Sequence, residues 1–136
     1  MRITADTNIL VRATVGDDPE QARVAVDLLG KAELVAMPLA ALCEFAWVTR
    51  RAYRRSAAEI GDVIRVWLAS PTARLDRAAV EAGLATLDAG GDFADGVIAF
   101  CGRQMGGTVF ASFDREAIAL IAGSGGETHL LGEPAT

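Results

Sequence analysis

The sequence predicts an α/β protein in which short parallel strands alternate with helices. Short apolar runs recur between longer stretches that place apolar residues at helical spacing. Helix-start signals, such as Ser56 followed by Glu59, stand before several of those longer stretches. This alternation is typical of a parallel sheet covered by helices on both faces. Because the chain has 136 residues, 51% of them hydrophobic, we expect residues 1–136 to form a single compact domain.

The predicted strands are short and apolar. The run from Leu34 to Met37 is continuously apolar, which suits a strand buried on both faces. A strand rich in β-branched and aromatic residues begins at Thr108, after the break at Gly106 and Gly107. In chain order the predicted strands are Ile3–Ala5, Leu34–Met37, Arg74–Asp76, Thr108–Ser112 and Thr128–Leu131.

The predicted helices have recognisable first turns. Asp18, Pro19 and Gln21 form a cap, a proline at the first helical position and a capping-box glutamine. Ser56 and Glu59 form a second capping box. The first turns of the first helix are predicted at Thr7 to Arg12. The later helices are predicted to begin, in chain order, at Pro19, Pro38, Ser56, Asp76, Asp92 and Asp114, and to reach about Lys31, Tyr53, Ser70, Gly90, Met105 and Ala122.

Composition excludes several classes of protein. The net charge of −5 argues against a protein that coats nucleic acid by bulk electrostatics. Cys43 and Cys101 form no CxxC or Cys/His cluster, so we expect reduced thiols. The start MRITAD lacks the pattern of a signal peptide, and the most apolar run, residues 34–48, is shorter than the roughly 18 residues that span a bilayer. We therefore expect a cytoplasmic protein without membrane association.

A cluster of four arginines surrounds Tyr53. It has two interpretations: a solvated helix end whose cations complement the helix dipole, or a contact surface for phosphates or for an acidic partner. The cluster consists of Arg50, Arg51, Arg54 and Arg55.

Two acidic residues in the first third of the chain have apolar neighbours in sequence, and we expect their charges to lie in apolar surroundings, where an unpaired charge is costly. Asp6 is the only charge from Ile3 to Val11, at a strand-to-helix junction where an aspartate can cap the helix or bind a metal. Glu44 is the only charge in PLAALCEFAWVT, and no Lys or Arg lies three or four residues away. A helix with apolar residues on every side is expected to be buried, so Glu44 needs a cation. A distant arginine remains an alternative to a metal.

The pattern recurs in the last third of the chain. Asp92 is a plausible cap, and Asp95 lies one turn further on the same helix face. Asp114 follows a predicted strand directly and could also be a cap. Each acid has a structural explanation by itself, but one shared pocket explains all of them. Carboxylates in one pocket repel each other unless divalent cations hold them, and oxygen ligands favour Mg²⁺ or Mn²⁺.

Other chemistries have little support in the sequence. His129 is the only histidine and lies in a predicted terminal strand, so a Ser-His-Asp arrangement would depend on it. The chain has no GxxxxGK[ST] loop and no strand-GxGxxG-helix pattern, which argues against nucleotide binding by those motifs.

The ordered motifs Asp6-Thr7-Asn8, Glu44, Phe93-Ala94-Asp95 and Ser112-Phe113-Asp114 give the sequence a family likeness. It resembles the PIN-domain ribonucleases, most closely the VapC-type toxins of toxin-antitoxin modules. The resemblance covers essentially the whole chain. It implies a three-layer α/β/α sandwich with a central parallel sheet, and endonucleolytic cleavage of RNA by water activated by Mg²⁺ or Mn²⁺.

The resemblance also assigns roles to individual residues. It implies that Asp6, Glu44, Asp95 and Asp114 are catalytic metal ligands. Accessory roles fall to Asp92, Thr7, Asn8 and Ser112. In the last motif, where the family often has T-x-D-x-D-F, this chain has SFDREA, with Ser112 for Thr, Glu116 for Asp and Ala117 for Phe. This departure leaves the details of the fourth ligand open.

The resemblance implies an RNA substrate, a cognate antitoxin and a homodimer. The cluster Arg50, Arg51, Arg54 and Arg55 is the predicted surface for RNA or antitoxin. Two alternatives remain open. A haloacid-dehalogenase-like phosphohydrolase also begins with an aspartate after its first strand, but it needs a second Asp where this chain has Asn8. A catalytically inactive PIN-like binding module is the other alternative.

Overall fold

The computed structural model describes residues 1–132, and the predicted alternation of strands and helices is present there. Most element ends lie within two residues of the predicted ends. The elements are β1 (Arg2–Thr4), α1 (Thr7–Val15), α2 (Pro19–Lys31), β2 (Leu34–Ala36), α3 (Leu39–Arg51), α4 (Ala57–Ala69), β3 (Ala73–Arg74), α5 (Arg77–Asp88), α6 (Phe93–Gln104), β4 (Val109–Ser112), α7 (Arg115–Gly123) and β5 (Glu127–Leu130). Residues 133–136 of the predicted single domain lie outside the described part.

The strands are parallel, as predicted, and pair in two separate sets. β2 lies between β1 and β3, with Val35 opposite both Ile3 and Ala73. β4 pairs with β5 from Val109 opposite Glu127 to Ser112 opposite Leu130. The α/β class is therefore confirmed. Hydrogen bonding divides the strands of residues 1–132 into a three-stranded and a two-stranded sheet.

Local capping chemistry explains where several helices begin. The Asp18 carboxylate accepts a hydrogen bond from the Gln21 amide at 3.1 Å. The Ser56 hydroxyl accepts one from the Glu59 amide, and the Glu59 carboxylate accepts one from the Ser56 amide, each at 3.1 Å. These bonds satisfy amide groups that have no partner within the helix. Both predicted helix starts are confirmed.

The main core surrounds α3. This helix packs against α1, α4 and α6, and Phe45 meets Trp67 edge to face with ring centroids 4.8 Å apart. Ala117 and Ile121 of α7 are buried outside the main cluster. The largest fully buried side chains of the main cluster are Phe45, Phe93, Leu10, Leu42, Ile60, Ile64 and Val80.

α5 and α6 form the most extensive helix–helix contact in the described structure. Gly96 lies where α6 meets the backbone of α5: a Cβ at this position would overlap the Ala82 carbonyl oxygen and lie 2.5 Å from Thr86 Oγ1. A side chain here would force the helices apart. The glycine therefore sets the position of the α6 N-terminus.

Within residues 1–132, no helix is long and apolar enough to cross a bilayer. Cys43 and Cys101 are free thiols, as predicted, and both are partly buried. Burial raises the pKa of Cys43, and the neighbouring Cys101 raises it further.

Candidate functional site

Asp6 begins α1 immediately after β1. Its Oδ1 accepts a hydrogen bond from the Ile9 amide at 3.0 Å, so the capping interpretation is confirmed. The side chain is exposed, and the expectation that its charge lies in apolar surroundings is wrong because the junction opens to solvent. Oδ2 has no hydrogen bond within residues 1–132, which leaves this oxygen available to a metal. Thr7 and Asn8 follow in the same turn, partly buried and exposed respectively.

Glu44 lies on the solvent side of α3. The helix buries Leu42, Phe45 and Thr49, whereas Glu44 and Trp47 are exposed. The prediction that this helix buries every face is therefore wrong, because neighbouring helices cover only one side of it. Solvent stabilises the Glu44 charge, so no internal cation is required. Its assignment as a metal ligand stays a prediction.

Among the predicted ligands, Asp95 is the acid whose pKa the fold raises. It lies in the first turn of α6 and is partly buried. Burial raises its pKa, and the negative charges of Asp92, Asp114 and Glu116 raise it further. The fold therefore brings acids from α6 and from the start of α7 within electrostatic range of one another.

Asp92 and Asp114 both occupy N-cap positions, but only the Asp114 side chain makes capping hydrogen bonds. Asp92 occupies the N-cap position of α6 but makes no capping hydrogen bond with its side chain, so its predicted capping role is wrong. Asp114 caps α7: its Oδ1 accepts hydrogen bonds from the Glu116 and Ala117 amides at 2.9 and 3.1 Å. The Ser112 hydroxyl accepts one from the Asp114 amide at 3.0 Å, which helps to hold the turn that carries Asp114.

Within the described part of the chain, the acids near Asp95 have no cationic partner. Within residues 1–132 none of the predicted acidic ligands, nor Asp92 or Glu116, forms an ion pair. In the same part of the chain, no three carboxylate, imidazole or thiol groups are positioned as a ready metal site. The donor set is therefore carboxylate oxygen, which suits Mg²⁺ or Mn²⁺, but these acids do not converge on one point.

Comparison with known protein families decides what kind of domain this is. The model of the PIN domain family matches residues 3–123. The chain belongs to the PIN-domain family. No curated protein matches it. The PIN domain is a nuclease-like fold, so a hydrolase acting on nucleic acid is the activity that membership supports. The haloacid-dehalogenase-like alternative loses its support, since the family match covers the motif on which it depended.

Glu116 was not among the site residues predicted from the sequence of this PIN domain. It acts on Asp95 through its charge, although it is exposed. The signal was present in SFDREA, where Glu116 replaces the second Asp of the T-x-D-x-D-F pattern and keeps a carboxylate there. His129, in contrast, is exposed on β5, and no hydrogen bond within residues 1–132 links it to a Ser or Asp. A Ser-His-Asp site is not formed in that part of the chain.

The four arginines of the PIN domain occupy different environments. Arg50 and Arg51 lie exposed in the last turn of α3. Arg54 is exposed in the following loop, with a φ of 54° that is unusual for a non-glycine residue. Arg55 is engaged within the chain: it lies 3.6 Å from Glu59 and donates to the Val15 carbonyl at 3.5 Å. Arg50, Arg51 and Arg54 are the cations of this set that remain accessible.

Proposed function

We propose that this protein is a Mg²⁺- or Mn²⁺-dependent endoribonuclease and the toxin component of a type II toxin-antitoxin system, similar to the VapC-type toxins. The observation that carries the proposal is Asp95. In a PIN domain, this acid is partly buried and within electrostatic range of Asp92, Asp114 and Glu116. Burial and those charges raise its pKa, and within residues 1–132 no cation pairs with it. Accumulated negative charge with no cationic partner among residues 1–132 favours a bound divalent cation.

The predicted ligands are Asp6, Glu44, Asp95 and Asp114, with Asp92 and Glu116 nearby as accessory acids. A bound Mg²⁺ or Mn²⁺ supplies a Lewis acid that lowers the pKa of water and offsets charge on a phosphodiester. The capping bonds of Asp6 and Asp114 engage one oxygen of each carboxylate and fix its direction. Thr7, Asn8 and Ser112 orient these acids through the turns that carry them.

The proposed partners are an RNA substrate, a cognate antitoxin and a second copy of the chain in a homodimer. Accessible Arg50, Arg51 and Arg54 provide the positive surface for RNA phosphates or antitoxin. An antitoxin arm that inserts an arginine among the acids would inhibit by neutralising their charge. We place the protein in the cytoplasm, with residues 1–136 as one domain.

A catalytically inactive PIN-like binding module is the second candidate. It is favoured by one observation: within residues 1–132, no three potential ligands are arranged as a metal site. An inactive module would bind its partner without turnover and would not depend on a divalent cation.

Incubation of the purified protein, freed of any inhibitor, with cellular RNA separates the two candidates. We expect new RNA ends in Mg²⁺ or Mn²⁺ and none in EDTA. Asp6→Asn is the matched variant, because asparagine caps a helix about as well as aspartate but has no charge. This variant should unfold like wild type and cut RNA much more slowly, because it lacks the charge that helps to hold the metal. If the wild type produces no metal-dependent ends, the nuclease assignment is wrong and the inactive module is favoured.

A further inference from the structure

We propose that Trp47, together with Arg50 and Arg51, forms a subsite for one unpaired nucleotide of the RNA, next to the acids Asp92 and Asp95. This inference rests on the proposed nuclease function and adds the feature by which the enzyme would hold its substrate. The three residues are called the Trp47 subsite below.

Trp47 is unusually exposed for its size. It keeps 56% of its surface open, whereas Trp67 is packed against Phe45. Tryptophan is a large, mostly apolar side chain that is highly buried on average, so an indole ring left more than half open on a helix is a candidate contact for a ligand. Glu44 precedes it by three residues and Arg51 follows it by four, which places all three side chains on one face of α3.

The ring lies beside the acids of α6. A pocket of about 60 Å³ is lined by Trp47 and Arg50 from α3, by Asp92 at the N-cap of α6 and by Asp95 in its first turn, among other residues. This volume accommodates water rather than a nucleobase. A base would therefore stack on the exposed part of the Trp47 ring, and the phosphate of that nucleotide would lie near Asp92 and Asp95.

The charges around the ring suit a phosphate. The guanidinium carbon of Arg51 lies 5.8 Å from the centre of the Trp47 ring, in the range of a cation–π contact. Arg50 is one turn further along the helix from Trp47. Neither arginine forms an ion pair or a hydrogen bond within residues 1–132, so the guanidinium N–H groups of both can donate to an RNA phosphate, those of Arg51 from its place over the ring. They supply local positive charge in a protein whose net charge is −5.

The geometry favours single-stranded RNA over a protein partner. Every base has a π face that can stack on an indole ring, and guanidinium groups bind the attached phosphate. Bases within a duplex are already stacked and cannot reach the ring. The Trp47 subsite should therefore select unpaired RNA with little preference for base identity at this position.

The test measures RNA binding rather than cleavage. A fluorescein-labelled single-stranded RNA is titrated with protein in EDTA, in an Asp95→Asn background, and binding is followed by anisotropy and by tryptophan fluorescence. Trp47→Ala should weaken binding about tenfold, and Trp47→Phe should retain most of the affinity. The matched control is Val66→Ala, at an apolar α4 side chain that is 67% exposed, and it should bind like its parent. The same RNA in a duplex should bind more weakly and without dependence on Trp47.

Tryptophan fluorescence gives a second readout, because RNA would not quench Trp47 if that residue had only a structural role. RNA should quench the parent protein, while Trp47→Phe, which retains only the packed Trp67, should bind without that quenching. Equal RNA affinities for Trp47→Ala and its parent, with RNA still cleaved by wild type, would overturn the subsite alone. A wild-type protein that neither binds nor cleaves RNA would overturn the proposed function as well. A shift in oligomeric state by light scattering, with RNA affinity unchanged, would assign Trp47 to a contact between copies and also overturn the subsite.

Discussion

Replacement of Gly96 by alanine tests whether the α5–α6 contact positions the candidate site. The added methyl group would overlap the Ala82 carbonyl oxygen and lie 2.5 Å from Thr86 Oγ1 and 2.9 Å from the Gly83 Cα. Two of these atoms belong to the α5 backbone, so no side-chain rotation can relieve the overlap. The helices must separate, and Asp95, the preceding residue, must move with α6.

The matched control is Gly102, which lies on the same helix. A Cβ at Gly102 would meet nothing within 4 Å. Gly→Ala inside a helix stabilises by up to about 1 kcal/mol through helix propensity alone. Overpacking costs about 1–3 kcal/mol, and more where backbone must move. We therefore expect Gly102→Ala to gain about 0.5–1 kcal/mol and Gly96→Ala to lose about 2 kcal/mol in free energy of unfolding.

Urea unfolding followed by far-UV circular dichroism measures this difference. For a domain of this size, a loss of about 2 kcal/mol moves the midpoint down by roughly 1 M urea. Gly96→Ala should also lose nuclease activity under conditions in which it remains folded, whereas Gly102→Ala should retain it. A Gly96→Ala midpoint equal to that of wild type, or a comparable loss in Gly102→Ala, would refute the close-contact explanation.

Three further predictions follow from the acids and the caps. The fold raises the pKa of Asp95, so the protonated carboxyl is favoured in the folded state and the ionised carboxylate destabilises it. The folded protein therefore loses stability as pH rises through the folded pKa of Asp95. Asp95→Asn should therefore raise the urea midpoint of the metal-free protein at pH 7. The gain should shrink as pH falls toward 3.8, the ordinary pKa of aspartate. Equal midpoints for Asp95→Asn and wild type at pH 7 would contradict this prediction. Added Mg²⁺ should raise the thermal midpoint of wild type more than that of Asp95→Asn, and EDTA should reverse the rise; equal shifts would argue against Asp95 as a ligand. Ser56→Ala removes one half of the capping box and should cost about 1 kcal/mol by urea unfolding, whereas Ser56→Asp should cost much less.

The sequence predicted the elements well because their signals are local. Asp18 and Ser56 accept hydrogen bonds from amides three residues later, and such contacts form wherever the surrounding chain is placed. The same holds for Asp6 and Asp114, whose capping geometry follows from a strand that turns into a helix. The family likeness was also readable in sequence, because it depends on the order and spacing of short motifs.

The site was harder to predict because exposure depends on distant elements. The string around Glu44 is apolar, but other helices cover only one side of α3, so Glu44 and Trp47 face solvent. The influence of Glu116 on Asp95 likewise arises from the placement of α7 relative to α6. No local sequence pattern shows how close α7 lies to α6.

The amino-acid sequence by itself determined the α/β class, the helix starts, the free thiols and the acidic motifs of a PIN domain. Tertiary structure alone decided that the strands pair in two parallel sets, that Glu44 is exposed to solvent, and that the pKa of Asp95 is raised by burial and by neighbouring acids. The physical reason is range: capping and periodicity act over three or four residues, whereas burial and electrostatic repulsion depend on which segments the fold brings together.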